Sequence, residues 1–318
     1  MTTTDIKMQL RGVLGFPVTP FHKDWSLDLN ALEENVEHMV RHPFCALVAA
    51  GGAGEMYAMA PEEIVTVVRV VVRTVRGRMP VIAGVGFNAA IAATLAQQLE
   101  KAGAGALLVL PTYYTSATPE GLLDYYAAVG AASNLPLIVY DRDWISFSPD
   151  MVARLAERIP NLAAWKDGHG DARKYQRIMN RVGDRLAWLG GAGDDCAAAY
   201  FASGVRAYTS SVSNIAPALS VALASAGLRG DFAQMNELLT RFVHPLFAIR
   251  ERRRGYEVAA IKHAMEILGR KAGPVRPPLQ DCTETEIEEI RRVMEIYKNS
   301  AFWNSDAKSA TTAVLVHE

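Results

Sequence analysis

Residues Val81–Leu110 run VIAGVGFNAAIAATLAQQLEKAGAGALLVL: two short apolar runs, VIAGVG and ALLVL, flank a segment of helical period. Neither run alternates apolar with polar residues. Near-continuous apolarity marks parallel strands covered on both faces, and parallel pairing requires a crossover such as the segment between them. The unit recurs in both directions. VLGFPVT (Val13–Thr19) and CALVAA (Cys45–Ala50) precede it, and LIVY (Leu137–Tyr140), LAAWK (Leu162–Lys166), LAWLGG (Leu186–Gly191) and VRAYTSS (Val205–Ser211) follow. Helix starts lie between the runs: Ser26, Pro61, Thr118-Pro119-Glu120, Pro149 and Asp171.

Eight such units predict a single α/β domain, a (β/α)8 TIM barrel over residues 1–230. A doubly wound sheet would stop at five or six strands and would carry a glycine fingerprint after the first; here FPVTPF (Phe16–Phe21) stands in that place. Three helical patterns, at about 231–253, 256–269 and 284–299, predict a C-terminal helical extension of the same domain over 231–300. Residues 301–318 read as a loose tail in which Phe302 and Trp303 are the groups able to dock.

The chain has 318 residues, with 33 Lys and Arg against 34 Asp and Glu, a formal net charge of −1. Near-neutrality removes the electrostatic footprint of a nucleic-acid binder. No apolar stretch reaches the roughly 20 residues of a membrane span, and the polar start MTTTDIKMQLRG has no leader-like apolar core. Three scattered cysteines, Cys45, Cys196 and Cys282, suggest neither a disulfide framework nor a zinc site. A cytoplasmic protein is expected.

A barrel carries its active site at the C-terminal ends of its strands. Lys166 ends the apolar strand LAAWKD there. A lysine is rarely buried without a partner, and desolvation lowers its pKa, so a neutral amine able to attack a ketone is one reading. A salt bridge to Asp167 or to a carboxylate on another strand is the other. Tyr140 ends the preceding strand, placed either as a proton shuttle beside Lys166 or as a plug bonded to a backbone carbonyl. Gly51-Gly52-Ala53-Gly54-Glu55 can bring backbone amides close to an anion, or can simply be a tight turn. His38 and His42 read as solvated, Asp194-Asp195 as caps of the next helix, and Arg250–Arg254 as decoration of a helix end. His169 lies in the loop after Lys166 and has no assigned role.

FPVTPF, AAGGAGE (Ala49–Glu55), AGVG (Ala83–Gly86), Tyr113-Tyr114, VYDR (Val139–Arg142) and AWKDGHGD (Ala164–Asp171) occur in an order that resembles the dihydrodipicolinate synthase and N-acetylneuraminate lyase superfamily of Schiff-base barrels. Within it, GYEVAAIK (Gly255–Lys262) and AGPVRPPL (Ala272–Leu279) are most similar to the 5-dehydro-4-deoxyglucarate dehydratase branch.

The resemblance implies that Lys166 forms the Schiff base and Tyr140 shuttles protons. Gly52, Ala53, Gly54, Arg142, Gly193, Tyr208, Ser210 and Asn214 would bind a small 2-oxo acid, with Arg142 on its distal carboxylate. Tyr114 would reach a neighbouring subunit of a homo-oligomer, a dimer of dimers. No cofactor or metal is implied. Two positions depart from the pattern: Ala53 lacks the usual hydroxyl, for which Ser210, Ser211 or Asn214 could substitute, and Asp141 adds a negative charge expected near the anionic substrate. Related alternatives are a 2-oxo-acid aldolase or a dihydrodipicolinate-synthase-like enzyme; a different one is a non-catalytic keto-acid-binding barrel.

Overall fold

The computed structural model describes residues 1–112, 117–253 and 255–306, with Tyr256 described by its backbone alone. Eight parallel strands close on themselves in chain order: β1 (Gly12–Gly15), β2 (Ala46–Ala49), β3 (Val81–Val85), β4 (Ala106–Val109), β5 (Leu137–Asp141), β6 (Leu162–Asp167), β7 (Ala187–Gly190) and β8 (Ala207–Ser210). β8 pairs with β1, Tyr208 opposite Val13 and Ser210 opposite Gly15, so no edge remains. The fold is the expected TIM barrel with a helical C-terminal extension. β1 is shorter than the apolar run around it because Pro17 and Pro20 have no N–H for a ladder.

Proline opens the helices Pro61–Val75, Pro119–Ala131 and Pro149–Arg158, as its fixed φ favours. The helix Leu29–Met39 is capped by Asp28, whose carboxylate accepts from the Ala31 N–H, rather than by Ser26. The polar start of the chain contains a short helix, Thr3–Gln9, closed by a Thr2/Asp5 capping box and seated by buried Ile6.

The first C-terminal helical pattern is split. Phe232–Leu238 and His244–Arg250 are α-helical, and Leu239–Val243 is a π-helical turn between them. Tyr256–Ile267 and Glu284–Lys298 follow. Residues 301–306 are helical and docked: Phe302 packs on Phe242 at 5.7 Å between ring centroids, and Trp303 on Tyr297 at 5.9 Å.

An ion-pair network and a separate polar seam bind the extension to the barrel. Glu55, fully buried after β2, lies 2.6 Å from Nζ of equally buried Lys262, and Arg276 pairs with Glu63 at 2.6 Å. On another seam, Arg270 Nη1 donates to His38 Nε2 at 2.7 Å, while His42 is buried 3.3 Å from Asp306. Both histidines were expected to be solvated. His38, on the helix, and His42, just past its end, instead face the extension.

Burial, reinforced by Arg270, pushes His38 down to about 3. A depressed histidine binds protons in the unfolded chain before the folded one, so its stabilising contribution is complete above pH 6.5 and falls away as pH drops toward 3. Asp306, raised to about 6 by burial, works in the opposite sense as pH rises. Urea unfolding should therefore lose roughly 2 kcal/mol more between pH 6.5 and 4 in the parent chain than in His38→Gln, which keeps an acceptor but cannot titrate. Equal losses in the two proteins would show that His38 is not the source.

Candidate active site

Strand period 2 and register decide which side chains enter the barrel mouth. Tyr140 on β5 pairs with Lys166 on β6, so both project to the same side at the C-terminal end. Lys166 is 3% and Tyr140 4% exposed, and both line a cavity of about 510 Å³. That volume lies within the ~300–1,000 Å³ usual for small-molecule sites.

Lys166 Nζ sits 3.1 Å from the Tyr140 ring centroid and donates to the Gly191 carbonyl at 3.1 Å. Tyr140 Oη donates to the same carbonyl at 3.1 Å and accepts from Arg142 Nη1 at 3.0 Å. The tyrosine thus has both features weighed for it, a carbonyl partner and a place beside the lysine. Gly191 makes the lysine's position possible: a Cβ there would lie 2.5 Å from Nζ.

Among the described residues no carboxylate forms an ion pair with Lys166. Asp167, its sequence neighbour, faces the other way and accepts from Tyr200 Oη at 2.6 Å and the Gly170 N–H at 2.9 Å. Burial, seconded by the Arg142 charge, holds the Lys166 amine well below the ordinary lysine range. Burial also raises the Tyr140 phenol, and Arg142 opposes that rise. The mouth therefore favours the neutral form of the amine and the protonated form of the phenol.

Gly52, Ala53, Arg142 and Gly193 also line the cavity. Gly54 does not; its carbonyl accepts from Thr19 Oγ1 at 2.7 Å behind the loop. Three expected binding residues are turned away from the substrate space. Tyr208 Oη donates to the Ser220 carbonyl at 3.0 Å, behind β8. Ser210 points to the same side, donating to Asp194 and lying 2.9 Å from Ser220 Oγ. Asn214 is spent on backbone: its amide donates to the Phe16 carbonyl at 2.7 Å and accepts from the Val18 N–H at 3.0 Å. Thr209, between Tyr208 and Ser210, is the β8 residue that faces inward, followed by Ser211. Tyr114 lies outside the described residues.

Asp141 does not bring charge to the substrate. It is fully buried on the outer side of β5, 2.9 Å from His169 Nε2 and 3.4 Å from Lys174 Nζ. The hydrogen bond to Asp141 raises His169 above its ordinary value. Asp194 does not cap the helix that follows it: it is buried and accepts from the Ser211 N–H at 3.1 Å and the Val212 N–H at 3.3 Å, at the start of the 3-10 turn Val212–Asn214. Arg250 is not decoration. It is 7% exposed, lines the cavity and donates from Nη1 to Ser211 Oγ at 2.9 Å. A signal for it exists in the sequence, since Val243, Leu246 and Phe247 stand seven, four and three residues before it on the same helical face.

Among the described residues no three His, Cys, Asp or Glu side chains converge as a metal site, and no helix is long and apolar enough to cross a membrane. The arrangement suits nucleophilic attack by an amine on a carbonyl, with proton transfer at the adjacent carbon.

The model of the dihydrodipicolinate synthetase family matches residues 9–297. The chain is 42% identical over 286 residues to a probable 5-dehydro-4-deoxyglucarate dehydratase of Bradyrhizobium diazoefficiens, covering 89% of this chain and 91% of that one. A protein of the same description from Saccharopolyspora erythraea is 41% identical over 278 residues, 87% and 90% of the two chains. Among solved structures, dihydrodipicolinate synthase from Oceanobacillus iheyensis superposes with a TM-score of 0.88 at 25% identity, covering 94% of this chain and all of that one. The synthase from Acinetobacter baumannii, complexed with pyruvate, gives 0.84 at 29% identity over 90% and 98%.

Proposed function

The chain belongs to the dihydrodipicolinate synthetase family, and from that premise we propose that it is a Schiff-base lyase that dehydrates and decarboxylates 5-dehydro-4-deoxy-D-glucarate to 2,5-dioxopentanoate. The observation that carries this reading is Lys166: a buried amine with no described carboxylate partner, 3.1 Å from the Tyr140 ring, at the mouth of the barrel.

In the proposed sequence, the neutral amine adds to the ketone and the carbinolamine hydroxyl leaves as water with the proton of the Tyr140 phenol, giving a protonated imine beside a Tyr140 phenolate. The imine acidifies the adjacent CH2, and Tyr140 accepts that proton as phenolate, stabilised by the Arg142 guanidinium 3.0 Å away. The enamine expels the β-hydroxyl as water, with Tyr140 returning its proton to the leaving oxygen. The conjugated iminium then takes up the electron pair released as the distal carboxylate departs as CO2. Reprotonation and hydrolysis of the imine free the aldehyde product and Lys166. Gly52 and Ala53 offer backbone amides to the carboxylate beside the ketone, which compensates for the missing hydroxyl at Ala53. The proposal includes a cytoplasmic homo-oligomer, a dimer of dimers.

A substrate panel tests it. CO2 should be released from 5-dehydro-4-deoxy-D-glucarate and not from monocarboxylic sugar acids. Pyruvate release from aldol substrates, with no CO2, would replace this reading with the aldolase one. Inertness toward every 2-oxo acid would leave a binding barrel.

A further inference from the structure

We propose that Arg250, with Ser211, forms the subsite for the second, distal carboxylate of a 2-oxo dicarboxylate. This rests on the reading of Lys166 as the residue that holds the ketone end.

The two guanidiniums of the cavity are not equivalent. Arg142 is already engaged: Nη1 donates to Tyr140 Oη at 3.0 Å and Nε lies 3.3 Å from the Asp143 carboxylate. Its charge belongs to the proton shuttle. Among the described residues the Arg250 side chain makes one hydrogen bond, from Nη1 to Ser211 Oγ, and its guanidinium lies 4.0 Å over the Phe247 ring. Its Nε is buried with no hydrogen-bond partner among them. Among the described residues no carboxylate stands within salt-bridge distance of it.

A buried, permanently charged group with no carboxylate beside it is an expensive arrangement unless an anion offsets its charge. Burial already works against the Arg250 charge, lowering it from its ordinary value, while the surrounding acids oppose that shift. None of those acids completes it. Asp194 spends its oxygens on Ser210, Ser211 and Val212. Glu257 lines the same mouth and interacts with both guanidiniums through space, without an ion pair to either.

Arg250 lines the cavity, and the two terminal nitrogens of its guanidinium suit the two oxygens of a carboxylate. Selectivity follows. A 2-oxo acid ending in a methyl group would leave Arg250 unsatisfied, so the site rejects it in favour of the diacid of the same length.

The test uses two six-carbon probes that cannot eliminate water, 2-oxoadipate and 2-oxohexanoate, titrated calorimetrically into the full-length protein. The parent should favour 2-oxoadipate by about 10–100-fold, the size of a charge-assisted hydrogen-bonded pair. Arg250→Gln should erase that preference while leaving 2-oxohexanoate and pyruvate binding within about twofold, and Arg250→Lys should restore part of it. An undiminished diacid preference in Arg250→Gln would overturn the assignment. So would an equal loss for all three acids, the signature of a structural role. Borohydride trapping of the same complexes reads Lys166 separately. Absence of any adduct in the parent would sink the imine chemistry, while the calorimetric preference would still decide Arg250.

Discussion

Lys166→Met should abolish turnover, by at least about 10⁴-fold in kcat, and at the same time raise the thermal midpoint. The loss follows from the chemistry: no other amine among the described residues lies at the strand ends beside Tyr140, and removing a covalent nucleophile removes the pathway. The gain follows from burial. Lys166 is 3% exposed and its charge is compensated by no ion pair among the described residues, so folding strips the amine of solvent and works against its charged form. Because its pKa falls on folding, the unfolded chain binds the proton more readily than the folded one. The lysine therefore costs stability at pH 7, a cost that grows as pH falls from its ordinary value toward the folded one. An isosteric apolar side chain avoids this, for a gain of roughly 1–3 kcal/mol. Mass spectrometry after borohydride reduction with a 2-oxo acid should find one adduct in the parent and none in the variant. Persistent turnover, or an adduct elsewhere, would show that the nucleophile is a different residue.

Tyr140→Phe should lower kcat by about 10²–10⁴-fold, the usual worth of a positioned acid–base group. The ring that faces Lys166 would remain, and the Gly191 carbonyl would still accept from the lysine. Imine formation should thus survive, and with it the borohydride adduct. The step that should fail is proton removal next to the imine. In D2O the parent should exchange the methyl protons of pyruvate, followed by NMR, and the variant should exchange them at least about 100-fold more slowly. Exchange at the parental rate would remove Tyr140 from the proton path and leave it as an aromatic plug.

The parts of this site that could be anticipated from sequence share one property: they sit on strands or loops whose ends the barrel must bring together. Lys166 and Tyr140 terminate consecutive apolar runs, and parallel pairing of neighbouring strands makes them adjacent whatever the details. The errors have a common origin too. In strands buried on both faces the side chains are apolar on both sides, so the sequence carries no alternation from which to tell inward from outward. A choice off by one residue reverses every assignment. The resemblance puts Tyr208 and Ser210 in the mouth, yet Thr209 between them faces it. Asp141 likewise follows inward Tyr140 and therefore points out, toward Lys174. Arg250 was missed for a different reason. It arrives from a helix beyond the eighth unit, where strand-end logic does not apply, and a basic residue at a helix C-terminus ordinarily needs no further explanation.

The Glu55–Lys262 pair has a consequence for how the chain comes into being. The two partners are 207 positions apart, 262 less 55. At the ribosome's ~5–20 residues per second, Glu55 emerges about 10–40 s before its lysine is made. In that interval its carboxylate has only water for company, and the glycine turn it anchors has no reason to adopt the shape it keeps in the finished enzyme. The glycine turn at the cavity wall is therefore among the last parts of the nascent protein to become native, although it is among the first to be translated.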